Sequence, residues 1–70
     1  MEIKLFDVVA ILEDKPVAGL RRGQVGTVVE TLAPGVFEVE FSDNEGRTYA
    51  SVALKSRQLL VLHHEVVHAA

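Results

Sequence analysis

The chain has no cysteine and no tryptophan, two prolines, one methionine, and only three phenylalanines and one tyrosine in 70 residues. Without cysteine neither a disulfide nor a thiolate metal site can form, and cysteine usage gives no sign of a redox compartment. The few aromatics argue against a proline-peptide groove, which needs several. They argue equally against an RNA platform built on base stacking. No apolar run approaches the roughly 20 residues of a membrane-crossing helix. The opening MEIKLFDVVAILED sets acids beside its early lysine and has no small-residue cleavage site, so it does not read as a secretory signal. The expectation is a soluble, cytoplasmic protein. Positive charge is also short: seven Lys and Arg against ten Asp and Glu give a net charge of −3, the wrong sign for a partner held by its phosphates.

Apolar residues, in contrast, are plentiful at 49%. A chain of this length buries only about 60% of the surface its unfolded form exposes, and domains below about 80 residues often depend on disulfides, metals or association. With the first two excluded or unsupported, part of the apolar surface is expected in an interface with another protein or another copy of the chain.

The pattern along the chain is one of short strands and tight turns. Residues 5–12, LFDVVAIL, are short and rich in β-branched side chains, which favours a buried strand. Pro16 and Gly19 punctuate a loop in which Val17 and Leu20 are expected as apolar anchors. Residues 24–32 form the second strand; Gly23 and Gly26 suit a sharp entry and a bulge where backbones approach closely. Ala33-Pro34-Gly35 is a turn with proline fixing φ and glycine accepting positive φ. Residues 36–42 alternate: Phe37, Val39 and Phe41 share one face, Glu38 and Glu40 the other. Asp43-Asn44-Glu45-Gly46 is a second turn, residues 47–54 a fourth strand, 55–58 a polar crossover with one 3₁₀ turn, and 59–62 the closing strand. Five strands at this spacing predict an all-β domain, a small SH3-like barrel over residues 1–62, with a short tail at 63–70. Phe6, Phe37 and Phe41 are expected in its core.

The segments LRRGQVGTVVE, PGVFEVEFSDNEGRTYA and QLLVL resemble, in order, the small bacterial proteins of the family called domain of unknown function 4926. The resemblance implies an SH3-like barrel and a partner among other small bacterial proteins, with a toxin–antitoxin or immunity role as the expected setting. It implies no catalytic or binding residue. A looser likeness, carried by Gly23, Gly26 and Val28, is to the KOW motif of ribosomal and transcription proteins.

His64-Glu65-Val66-Val67-His68 spells HExxH, which on a helix sets two histidines on one face to hold Zn²⁺ beside a glutamate base. Here the chain stops two residues later, without a third ligand. The Val66-Val67 pair favours extended backbone, which separates His64 and His68 by about 13 Å, too far for one ion. The sequence therefore assigns no metal, no cofactor and no catalytic residue; the tail is expected to pack on its own domain or on a partner.

The remaining candidates are surface groups. Arg21, Arg22, Lys55 and Arg57 could meet where the first loop and the last crossover adjoin, but acidic neighbours make them a solvated rim and nucleic acid an unlikely partner. Asp43, Asn44 and Glu45 lack the spacing of a calcium loop. Glu38, Glu40, Asp43 and Glu45, with Tyr49 as an exposed aromatic anchor, suit a basic protein surface. The expectation is a non-enzymatic interaction module, with a KOW-like nucleic-acid module and a zinc protein as the alternatives.

Overall fold

A computed structural model describes residues 2–63. It is all-β: five antiparallel strands in one sheet, β1 (Val8–Ile11), β2 (Val25–Ala33), β3 (Val36–Ser42), β4 (Thr48–Lys55) and β5 (Leu59–Val61). Single 3₁₀ turns, η1 (Pro16–Ala18) and η2 (Ser56–Gln58), interrupt the connections. The strand order is β4-β3-β2-β1-β5.

The turn residues explain the meander. Pro34-Gly35 is a two-residue connection between the paired residues Ala33 and Val36, and Gly35 has φ 73°, which proline before it and the missing side chain make cheap. In the next turn the Asp43 carboxylate accepts hydrogen bonds from the backbone N–H groups of Glu45 and Arg47 at 2.9 and 3.0 Å, the self-capping habit of aspartate.

The sheet cannot be flat. Five strands about 4.8 Å apart would hold β4 and β5 about 19 Å from each other, yet the three residues of η2, at about 2 Å rise each, are all that join them. The sheet therefore bends around a core drawn from every strand: Val9 and Ile11, Val28, Phe37, Val39 and Phe41, Leu54, Leu59 and Val61, with Leu20 added from the first loop. The expected closure into a barrel is not completed by backbone pairing: among the described residues β4 and β5 remain edges. At the centre, Gly26 passes so close to β3 that a Cβ would lie 2.7 Å from the Glu40 carbonyl oxygen and 2.8 Å from Val39 Cγ1. The close approach expected of this glycine is present, but the bulges lie further on, at Val29 and Leu32.

Three expectations require correction. The first strand begins at Val8, not at residue 5. Before it, Asp7 Oδ2 accepts the Lys4 N–H at 2.9 Å and the Phe6 N–H donates to the Val28 carbonyl at 2.7 Å, pinning a turn with Phe6 at φ 68°. That turn aims the Phe6 side chain outward, 71% exposed, so it is not core. Val17 is not an anchor either: the η1 turn points it fully into solvent, and Leu20 alone is buried from this pair. The third strand, the 3₁₀ turn of the crossover and the burial of Phe37 and Phe41 are as expected, while the fourth strand is shifted by one residue, to Thr48–Lys55, so that the crossover begins at Ser56.

Candidate functional site

The alternation of β3 sets Glu38 and Glu40 outward, and pairing arranges them in two rows across three strands. Thr27, Glu40 and Ser51 form one row; Glu30, Glu38 and Ala53 form the next. Directly opposite residues of an antiparallel pair share a face with Cβ atoms about 5 Å apart, so Glu30 and Glu38 confront each other. The carboxylates of β3 are oriented from β4: Ser51 Oγ donates to Glu38 Oε1 at 3.0 Å and Thr48 Oγ1 donates to Glu40 Oε1 at 3.3 Å. Among the described residues no basic side chain lies in ion-pair range of Glu30, Glu38 or Glu40.

Asp43 and Glu45 are placed differently. Arg47 lies between them, with Nε 3.2 Å from Asp43 Oδ2 and Nη2 3.2 Å from Glu45 Oε2. The Arg47 backbone N–H holds the Asp43 carboxyl below its usual range; desolvation opposes this, and the Glu45 N–H and the Arg47 guanidinium add to it. The four expected acids thus divide into two on the open sheet face and two that share Arg47 within a turn. Tyr49, the bulged residue between the Phe41–Ala50 and Ser42–Thr48 pairs, is half exposed; its hydroxyl accepts a hydrogen bond from Gln24 Nε2 at 2.9 Å. Phe41 is fully buried and forms no groove with it.

The first loop and the crossover do adjoin, but acids occupy the junction. Gln58 Nε2 donates to Glu13 Oε1 at 2.6 Å, the Leu12 N–H donates to the Gln58 carbonyl at 2.9 Å, and the Arg22 N–H donates to Asp14 Oδ1 at 2.8 Å. The arginines and lysines here are interleaved with carboxylates and have no aromatic among them. His64 and His68 lie outside the described residues. Among the described residues no group of three metal-ligating side chains converges, and no helix is long and apolar enough to cross a membrane.

Sequence reasoning missed Glu30 and the exposure of Phe6 and Val17. Glu30 was hidden because simple alternation from Gly26 and Val28 would turn it inward; the bulge at Val29 turns it out. For Val17 the signal was its place between a proline and a glycine, too tight a turn to bring two neighbouring apolar side chains to the core.

A family model described as Domain of unknown function (DUF4926) matches residues 5–61. No curated protein and no solved structure matches the chain.

Proposed function

The chain belongs to the family described as domain of unknown function 4926, and we propose that it is a non-enzymatic interaction module whose acidic sheet face receives a basic surface of another protein. The observation that supports this reading is the Glu30–Glu38 opposition. Like charges directly across a ladder lower stability, and a partner that brings Arg or Lys to this face would remove that cost while gaining charge complementarity. In its most specific form the partner is a small, basic bacterial toxin, neutralised in the cytoplasm by this chain as antitoxin or immunity protein, the role that the family resemblance suggests.

Co-purification from the native host tests the reading. The expected result is a stoichiometric basic protein whose association weakens with salt and is lost when Glu30 and Glu38 are both changed to lysine. Retention of the partner by that variant overturns the site. Salt-dependent binding of the purified chain to RNA or DNA at physiological ionic strength would replace the reading with the KOW-like one.

A further inference from the structure

We propose that the free edge of β4 is the surface along which two copies of this chain pair, antiparallel about a two-fold axis. The inference deepens the interaction reading above and rests on it, but it uses a different surface: the strand edge, not the sheet face.

β4 has β3 on one side and no strand on the other among the described residues. Its sequence is TYASVALK, eight residues with a single charge at the last, Lys55. Soluble proteins keep such edges single with inward or edge-placed lysines, prolines, short strands or a covering segment. Among the described residues β4 has a bulge at Tyr49 and a lysine only at its end, and η1 lies beside it without pairing to it, which leaves the stretch from Ala50 onward regular. Beside this stretch Lys15 and η1 form the far wall of an open groove of about 460 Å³, with Lys15, Pro16, Val17 and Ala18 facing Ser51, Val52 and Ala53. Val17 stands there fully exposed. An unpaired backbone edge flanked by apolar side chains is the arrangement that an added strand completes.

The charge pattern names the occupant. The start of β4 is flanked by Asp43 and Glu45 with Arg47 as their single cation, a net charge of −1 from two carboxylates and one guanidinium. Its end carries Lys55 and Arg57, both exposed, which outnumber the one carboxylate bound to Gln58 beside them, Glu13. An antiparallel copy lays each basic end beside the acidic turn of the other, whereas a parallel one sets like ends together. Between these ends the strand itself is uncharged, and the one cation lining the groove, Lys15, already has Glu13 as a partner at 3.4 Å. The contact is isologous and closes on itself, giving a dimer with one continuous sheet and no further growth along this edge.

Sedimentation equilibrium of the full chain, from micromolar to millimolar concentration and at low and high salt, tests this. A reversible dimer is expected, weakening as salt screens the paired ends. Ala53→Lys puts a charge at the seam, while its Cα partner Glu38 gives the new lysine an opposite charge within its own sheet. The variant should fold and dimerise at least about tenfold more weakly. Lys55→Glu should also weaken the dimer, and adding Glu45→Lys should restore it; because these two sites are exposed, the pair carries the test if Ala53→Lys does not fold. A chain that is monomeric throughout, a dimer indifferent to Ala53→Lys in folded form, or a charge reversal that the second reversal does not rescue would each overturn the inference. A monomer that still binds a basic protein through Glu30 and Glu38 defeats this inference alone; a β4 dimer that binds no such protein defeats the earlier reading alone.

Discussion

Gln58 and Glu13, 45 residues apart in sequence, are joined by a 2.6 Å hydrogen bond from the Gln58 amide to the carboxylate. The other end of the same amide accepts the Lys55 N–H at 2.8 Å, so one side chain fixes the crossover to the end of β1. Gln58→Ala should therefore lower the melting midpoint, because both hydrogen bonds of this amide are lost together. Calorimetry checks it, and an unchanged midpoint would show that the Leu12 backbone bond alone holds the junction.

The same contact makes stability depend on pH. Glu13 is held below the usual glutamate range, first by the hydrogen bond from Gln58 and then by Lys15; Asp43 is held below its own range chiefly by the Arg47 backbone N–H. A carboxylate whose folded pKa is depressed contributes stability that is present above its unfolded pKa and lost as pH falls through the folded value. Melting midpoints should therefore drop as pH falls below about 4, where free carboxylates begin to protonate. Glu13→Gln with Asp43→Asn should start from a lower midpoint at neutral pH and lose less in acid.

Gly26→Ala should be severe for so small a change. The added methyl would meet a backbone carbonyl and two core side chains, none of which can retreat without moving β3. Overpacking of this kind costs about 1–3 kcal/mol or more, read as a fall in the urea midpoint at unchanged m-value.

Phe6→Gly should act in the opposite direction. The native residue occupies left-handed backbone, which costs a non-glycine residue of order 1 kcal/mol, and its largely exposed ring returns little burial energy. A gain of up to about 1 kcal/mol in urea unfolding is expected; a loss would show that the ring packs usefully in solution.

Glu30→Gln should separate stability from binding. Removing one member of the facing pair relieves a repulsion and raises stability by a few tenths of a kcal/mol, while affinity for a basic partner falls. Parallel measurements of melting and binding check the two signs.

Strands and turns were legible because they depend on neighbours in sequence: the alternation in VFEVEFS, the Pro34-Gly35 turn and the self-capping Asp43 each state their own conformation. Positions that depend on register were not. Glu30 changes face because of a bulge at Val29 that no residue type announces. Phe6 is aimed outward by a turn that Asp7 caps locally but that is fixed by a bond from the Phe6 backbone to Val28, a residue far along the chain. For the acidic site, Glu38 and Glu40 could be read from alternation, whereas the opposition that gives them meaning could not.

The pairing of β1 with β5 has a kinetic consequence. The β2–β3–β4 meander closes through two short turns, but joining Ile11 to Leu59 means closing a loop that contains the other three strands, and entropy delays such contacts. The meander should be the folding nucleus and the β1–β5 ladder its last addition. Leu59→Ala should then leave the refolding rate nearly unchanged and appear almost entirely as faster unfolding.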